Sequence, residues 1–552
     1  MRKKVQAARS STFSEAQSPL FPSAVDQLLK THKTVRIAVS GDVHLTELET
    51  AIINTGEFQR LRRIKELGTT YLVYPSATHT RFEHSLGTLA VSQQMIKSIR
   101  DNTNSEPSER TIAPEDEILT RLLALVHDIS HIPFGHTLED EFCVLPRHDQ
   151  NGWRRDHFLG PESAIGSLLI QKIGQELYNE FYRIISVRKD QLDTLHDKRF
   201  VYDIVNNTVC ADLLDYLSRD SYFCNLDLRM NYRFLNFLYL AWDRDRTCRH
   251  LVVRLWKRTR GIARRDIVNE LIRLLDNRYL LGERVYYHHA KLIAGAMVAG
   301  AVQRAVQADK LNEKDLVGIG DDELLMKLQS IDEDSCDKLA SSVRDRVLWK
   351  EVFNKNRGSI LQGQSHSRHM AVVEGIRRNW WLDAGARRRE EDLHSTLLGM
   401  ASGDLLVHCP GPDMSKKLAQ MMVLWNGDIQ PLCECRDDTL IGSRLKVIED
   451  SHDDLWGIRV FYNPAYKDRV DDIEKACDSM INYDPDKSEA AHRAFYEVVV
   501  RRFVEMQLLH HDMTAASYVE RFNDAVTRLC GQTSSDREYN TVEQVIKDAF
   551  RQ

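Results

Sequence analysis

The sequence predicts a mostly α protein with a smaller α+β lobe toward its C-terminus, and three observations predict it. Apolar residues recur at helical spacing from about residue 48 to residue 306, in runs such as DEILTRLLALVHDIS, ESAIGSLLIQKIGQELYNEFY and NTVCADLLDYLSRD. After Gly403 the texture changes. DLLVHCP, LKVIED and WGIRVFYNP read as strands, with SKKLAQMMVLW and DRVDDIEKACDSMI as helices between them. The 552-residue chain is also 42% hydrophobic and 28% charged, the balance of an ordinary globular protein, and its length allows two to four structural units.

Taken in order, residues 1–30 are polar, rich in Ser and Ala, and read as a flexible tail. The segment 34–46, TVRIAVSGDVHLT, places β-branched residues around a Ser-Gly-Asp turn and predicts a hairpin. A helix follows with Leu48, Ile52 and Ile53 on one face. EFQRLRRIKELG then sets Phe58, Leu61 and Ile64 on one face and stops at Gly68. These open a helical catalytic domain over 31–306, interrupted by a Pro/Ser/Glu-rich connector at 101–117. A helical extension follows over 307–400, in which RRREED at 387–392 reads as a solvated helix face. The small α/β lobe covers 401–480, and helices return over 481–552.

The net charge, 75 − 81 = −6, excludes a generally basic nucleic-acid coat. The local stretch KRTRGIARR at 257–265 still offers a site for phosphates or, as a secondary partner, single-stranded nucleic acid. The longest run of apolar residues and glycine, Leu292–Val302, has 11 residues, where a membrane helix needs about 20. The first 30 residues hold no apolar signal core, and ten cysteines are sparse and irregular. The expectation is a cytoplasmic protein without a membrane span.

Chemistry concentrates in His127-Asp128-Ile-Ser-His131-Ile-Pro-Phe-Gly-His136, at the end of an apolar helix. Imidazole and carboxylate together suit Fe, Mn, Co, Ni, Zn or Mg. His131 lies one helical turn beyond His127, and Pro133 and Gly135 place His136 on a loop. Upstream, HTRFEHSLG supplies His79, Arg81, Glu83 and His84. Downstream, Asp212, Tyr216 and Asp220 follow one another at four-residue steps along one helical face. An apolar surface does not tolerate two carboxylates unless a metal, hydroxyl or cation pairs them. A further group, Arg278, Arg284, Tyr286, Tyr287, His288 and His289, adds cations, phenols and imidazoles.

The order His84…His127-Asp128…Asp212 resembles the H…HD…D signature of the HD metal-dependent phosphohydrolase superfamily. GDVHLTELETAIINTGEFQRLRRIKELGTTYLVYPSATHTRFEHSLGT is similar over its whole length to the deoxynucleoside triphosphate triphosphohydrolase branch, which includes the bacterial dGTPases. The likeness is strong over 34–305 and looser through DLLVHCPGPDM and WGIRVFYNP. It implies an HD-domain helical core, a dNTP substrate, and products that are a deoxynucleoside and inorganic triphosphate. It also implies a homo-oligomer, tetramer or hexamer, that controls or depletes the dNTP pool, in a prokaryote as defence against phage.

Carried onto this sequence, the resemblance makes His84, His127, Asp128 and Asp212 ligands of a divalent metal. His136 becomes the general acid at the 5′-oxygen, Glu139 the residue that orients it, and His131 a contact to phosphate or the attacking oxygen. Arg81 and Arg278 would meet phosphate, and Glu66, Tyr216, Asp220 and Tyr286 the sugar. The chain departs from the vertebrate members at Glu66, Leu213, Gly282 and Tyr287, where those carry glutamine, lysine, histidine and glutamine. His148 and His157 are candidates for one further active-site histidine. Asn54, Gln59 and Arg62 fall at an activator site where vertebrate members use an aspartate to read guanine. An amide at Asn54 cannot accept two N–H donors as that carboxylate does, so an activator that is not specifically GTP is expected. The rival readings are an HD-type nuclease or phosphodiesterase acting on single-stranded or cyclic nucleotides, and a non-catalytic nucleotide-sensing or assembly protein.

Overall fold

The computed structural model describes residues 22–103, 112–257, 262–333, 335–356, 380–411 and 419–481. Residues 1–21 of the expected tail, residues 104–111 of the 101–117 connector, the centre of the basic stretch at 257–265 and the expected helices beyond residue 481 lie outside these.

After a short helix α1 (Pro22–Leu28), strands β1 (Thr31–Ile37) and β2 (Gly41–Thr46) form the expected antiparallel hairpin, with Val35 opposite Val43. Thr46 ends β2 and caps α2 (Glu47–Ile53). Its hydroxyl accepts the Glu49 N–H at 3.2 Å while its own N–H donates to the Glu49 carboxylate at 2.8 Å, a reciprocal box that fixes the turn. Residues 56–63 form a one-turn helix, α3 (Gly56–Gln59), and a 3₁₀ turn, with Phe58, Leu61 and Ile64 fully buried as their spacing predicts.

The core is a helical layer. Helix α4 (Arg81–Thr103) packs on α5 (Pro114–Val126) and on α9 (Ala211–Phe223), while α6 (Gly152–Leu159), α7 (Ala164–Ser186) and α8 (Arg199–Val205) fill the other side of α5. Pro114 and three acidic residues in its first turn start α5 at the positive end of its dipole. Gly87 lets α4 approach α9, because a Cβ there would lie 1.9 Å from the Asp215 carboxylate.

The structure differs from the helical expectation at 238–254. LYLAW and RHLVVR are strands β3 (Leu238–Trp242) and β4 (Arg249–Arg254), joined by a tight loop. Strand β4 pairs in parallel with Met422–Trp425, which pairs in turn with Asp428–Pro431, so one four-stranded sheet draws on two regions far apart in sequence. Part of the predicted helix SKKLAQMMVLW is therefore a strand. Val423 and Leu424 are buried on opposite faces of an interior strand, the case in which an apolar run carries no alternation. A two-stranded ribbon, β5 (Trp256–Lys257) with β6 (Ile262–Ala263), leads to α10 (Arg265–Leu281) and α11 (His289–Gln307).

Beyond α12 (Asp321–Gln329) and α13 (Cys336–Arg344), β7 (Lys350–Asn356) pairs with Gly457–Tyr462, which also pairs with Leu405–His408. These last two are the expected DLLVHCP and WGIRVFYNP strands. LKVIED is not a strand: it lies inside the helix Thr439–Leu455, where Ile441 and Leu445 are buried one turn apart and Val447 is 64% exposed. The 387–392 block is not a solvated face either. Arg387 and Glu391 of the helix Ala384–Leu398 are buried, and the Arg387 guanidinium donates to the Trp380 and Phe142 carbonyls, each at 2.9 Å.

Candidate functional site

The four expected metal ligands converge. His84 on the first turn of α4, His127 and Asp128 just past the end of α5, and Asp212 on the first turn of α9 meet where the three helices pack. The His84 Nε2 lies 3.1 Å from Asp212 Oδ1 and 3.8 Å from Asp128 Oδ2. The His127 Nε2 lies 3.5 Å from Asp128 Oδ1 and 3.7 Å from Asp212 Oδ1. Both rings are tied at the other nitrogen: His84 Nδ1 to Asp215 Oδ2 at 3.0 Å, and His127 Nδ1 to the Ala124 carbonyl at 3.0 Å. That pattern sets each Nε2 as a lone pair facing carboxylates, the arrangement of a metal-ligating histidine.

The residues present fit a divalent cation. The ligand atoms of His84, His127 and Asp212 lie within 4.8 Å of one another, and the buried His127 Nε2 has no hydrogen-bond partner among the described residues. Burial raises the Asp128 carboxyl, but His127, His131 and Arg81 outweigh it and hold it well below the usual carboxylate range. Burial likewise raises Asp212, and the adjacent imidazoles of His127 and His84 bring it down. Burial lowers the His84 imidazole, yet Glu66, Asp212 and Asp215 lift it well above the usual histidine range. The cluster is thus rich in negative charge and short of a cation at its centre.

Two residues that the sequence reading passed over hold this centre in place. Asp215, one turn after Asp212, orients His84 and is gripped by Arg219 at 2.9 and 2.8 Å and by Ser40 at 3.2 Å. Arg219 also donates to the Ala38 carbonyl at 3.1 Å, tying the β1–β2 turn to α9. Buried Arg60 donates to the carbonyls of His131 and Ile129, each at 2.7 Å, and pins the segment after the HD pair. The available signal was a charged residue at a core-facing position: Arg60 sits between Phe58 and Leu61, and Asp215 between Leu214 and Tyr216.

Helix α5 ends at Val126, so His131 stands in irregular chain rather than one turn along a helix. It is fully buried, with Nε2 3.5 Å from Asp128, and neither ring nitrogen is hydrogen-bonded among the described residues. Burial, Arg81 and His148 push it well below the usual histidine range. Gly135 makes room for it, since a Cβ there would lie 2.4 Å from its Nδ1.

His136 is not on a loop but immediately before the helical turn Thr137–Glu141. Its side chain is 49% exposed and its Nδ1 is bonded to Asp140 at 2.7 Å. Asp140, not Glu139, therefore orients it. Glu139 points the other way because it is buried: it accepts from the His148 ring at 2.8 Å and backbone at 3.0 Å, and from Arg154 at 2.5 Å. Burial raises Glu139, while His148, His131 and Arg154 hold it well below the usual carboxylate range. His148 is the further histidine of the site, its ring 3.6 Å from that of His131. His157 instead stacks on Trp153 at 5.6 Å.

The structure groups the remaining candidates around this centre. Arg81 pairs with Asp128 and, at 3.3 Å, with Glu66. Asp220 accepts from His79 at 2.8 Å and from the Tyr286 hydroxyl at 2.6 Å. The half-buried phenol of Tyr216 lies in the field of Arg278 and Asp212. The missing lysine is a true substitution, since Leu213 is buried in the core. Asn54, Gln59 and Arg62 lie together on another surface: Gln59 donates to the Ile53 carbonyl at 2.8 Å and accepts from Arg62 at 2.9 Å, beside the C-cap residue Asn54.

Comparison with known proteins agrees with this geometry. Residues 81–220 match the HD domain, and residues 268–490 match the HD associated region. The chain is 28% identical over 311 residues to the human deoxynucleoside triphosphate triphosphohydrolase SAMHD1, covering 51% of this chain and 47% of that one. It is 28% identical over 335 residues to the Dictyostelium discoideum homolog of that enzyme, covering 58% and 60%. It is 33% identical over 323 residues to an uncharacterized protein of Methanocaldococcus jannaschii, covering 58% and 59%. The chain thus spans 47–60% of the length of these curated relatives. A crystal structure of a hypothetical protein from Aquifex aeolicus shares the fold, with a TM-score of 0.53 at 19% identity over 79% of this chain and 98% of that one. Residues 81–220 of the chain are thus an HD domain, and the chain is similar to the deoxynucleoside triphosphate triphosphohydrolases.

Proposed function

We propose that this HD-domain chain hydrolyses deoxynucleoside triphosphates to deoxynucleoside and inorganic triphosphate. The observation that carries the reading is the convergence of His84, His127, Asp128 and Asp212 with both Nε2 lone pairs turned toward carboxylates. These four would hold a divalent cation, which when bound polarises a phosphate oxygen and makes hydroxide available at neutral pH.

The protein's own residues do the rest. His131 and its neighbour His148 line the approach to Asp128 and hydrogen-bond the phosphate or the attacking water. That water attacks the α-phosphorus, and the bond from phosphorus to the 5′-oxygen breaks. His136, held at Nδ1 by Asp140, delivers a proton from Nε2 to the departing 5′-oxygen. Arg81 and Arg278 supply positive charge for phosphate, with Arg81 released from Asp128 when substrate enters. Asp220 accepts the 3′-hydroxyl, and Tyr216 with Tyr286 crowds the position where ribose carries a 2′-hydroxyl. The assembly would be a homo-oligomer, tetramer or hexamer, acting on the dNTP pool in the cytoplasm, with a nucleotide activator that is not specifically GTP at Asn54, Gln59 and Arg62. Among the described residues no helix is long and apolar enough to cross a membrane.

The test is product chromatography. Purified protein with Mg²⁺ or Mn²⁺ receives each dNTP singly, then all four together, beside a His127→Ala/Asp128→Ala control. Deoxynucleoside plus triphosphate, absent in the control, supports the proposal. Cleavage of oligonucleotides or cyclic dinucleotides with dNTPs spared would replace it by the phosphodiesterase reading.

A further inference from the structure

We infer that Asp243, Cys248 and His250 form a second metal site that takes a borderline transition-metal cation such as Zn²⁺ and closes the mouth of the β3–β4 hairpin. Their donor atoms lie within 4.8 Å of one another, in a part of the fold that supplies nothing to the HD cluster.

The hairpin brings them together. Ala241 pairs with His250 and Trp242 with Arg249, and the Asp243 N–H donates to the Cys248 carbonyl at 2.9 Å, so Asp243 and Cys248 face each other across its mouth. Cys248 and His250 are two residues apart on an extended strand, which puts both side chains on one face. Both are buried, at 1% and 7% exposure.

The imidazole is set as a ligand. His250 Nδ1 donates to Asp203 Oδ2 at 3.1 Å, and Asp203 is itself gripped on its other oxygen by Arg199 at 2.9 Å and Asn207 at 3.2 Å. That leaves Nε2 as a lone pair directed at Asp243 Oδ2, 4.0 Å away. Two facing acceptors separated by that distance in a mostly buried place call for a cation between them. The Asp243 oxygens accept the Thr247 and Cys248 N–H groups at 2.6 and 3.0 Å, which shapes the loop and leaves each oxygen a second lone pair. These bonds account for the turn. They do not account for a thiol and an imidazole that turn onto the same carboxylate.

In the metal-free protein the Cys248 thiol donates to the Asp193 carbonyl at 3.4 Å and lies 3.9 Å from Asp193 Oδ1, which also accepts from Arg199 at 3.3 Å, so a water completes the set around the cation. Burial and then Asp193 push the thiol up, so the metal-free protein keeps it protonated and cation binding releases that proton. Thiolate, imidazole and carboxylate in one set select Zn²⁺, Co²⁺ or Fe²⁺ over Mg²⁺ or Ca²⁺. The HD cluster offers nitrogen and oxygen alone, and this separates the two sites spectroscopically.

Chelator-stripped protein is titrated with Co²⁺ and read for the near-ultraviolet thiolate-to-cobalt charge-transfer band. The band is expected to saturate at one equivalent per chain, to vanish in Cys248→Ser, to weaken in His250→Gln, and to survive in His84→Ala/Asp212→Ala. No band in the wild-type protein, or a full band in Cys248→Ser, overturns the inference. Wild-type protein gives a reading that needs no variant: Zn²⁺ should slow alkylation of Cys248 by iodoacetamide, scored by peptide mass spectrometry. An equal rate with and without Zn²⁺ also overturns it.

Discussion

Two buried clusters in this molecule use the same residue types and reach opposite electrostatic states. At the HD centre every carboxylate has a histidine or arginine within reach, and Asp128, Asp212, Asp215 and Glu139 are all held below the usual carboxylate range. Where the helix Ala384–Leu398 meets the strand Leu405–His408, Glu391 is pushed up to about 7 by burial, with Arg387 no nearer than 4.0 Å. His408 beside it is driven well below the usual histidine range by burial and then by Arg459, Lys291 and Arg387, and neither ring nitrogen is hydrogen-bonded among the described residues. Burial alone therefore does not mark a reactive site. What marks it is convergence, in which lone pairs from separate helices aim at one point while their other atoms are anchored.

Breaking the first cluster should have the largest effect. Asp128→Asn removes a ligand, and the loss of several kcal/mol of charge stabilisation should lower the hydrolysis rate by ~10⁴-fold or more, with bound metal falling in parallel. Steady-state kinetics with elemental analysis checks both. His136→Asn should lower turnover by ~10²-fold or more while leaving metal content intact, because a proton donor is lost and the ligands are not. Equal metal loss in the two variants would erase the distinction between holding the cation and delivering the proton. Asp215→Asn should loosen both His84 and the buried Arg219 it grips, weakening metal affinity by ~10- to 100-fold in a metal-dependence titration while turnover at saturating metal stays near wild type.

The second cluster should answer to pH and not to metal. The folded-state pKa of Glu391 is raised from 4.5 to about 7, so its contribution to stability is complete below about 4.5 and is lost as pH rises through about 7. Glu391→Gln keeps an acceptor for the Val407 N–H, which the carboxylate now accepts at 2.7 Å, and removes the ionisation. Between pH 5 and pH 8 the variant should gain on the order of 3 kcal/mol relative to wild type, with turnover unchanged. Denaturant titrations across that range measure it. Parallel stability curves for the two proteins would show that burial does not raise Glu391 as described here.

How far the sequence disclosed all this follows the same physics. Most of the helices, the first hairpin and the His127–His136 cluster were legible because each rests on short-range pattern: a 3.6-residue period, a Ser-Gly-Asp turn, three histidines and one aspartate packed into ten residues, whereas His84 and Asp212 enter as candidate ligands only through the resemblance to the HD superfamily. The four-stranded sheet was not, because the neighbour that makes Val252 interior is Met422, and no local window contains both. LKVIED misled for the complementary reason, since a β-branched run hides a helical face once Val447 is free to point outward. Glu139 and Asp140 were exchanged because adjacent positions on a turn face opposite ways, and Arg154, which claims Glu139, lies 15 residues further on.

The proposed hydrolysis breaks the bond between the α-phosphorus and the 5′-oxygen. Turnover of a dNTP in ¹⁸O-enriched water, followed by mass spectrometry of both products, reads out which bond is cut. One solvent oxygen is expected in the triphosphate, none in the deoxynucleoside, and no turnover with Asp128→Asn. Deoxynucleoside monophosphate with pyrophosphate, or solvent oxygen in the nucleoside, would contradict it.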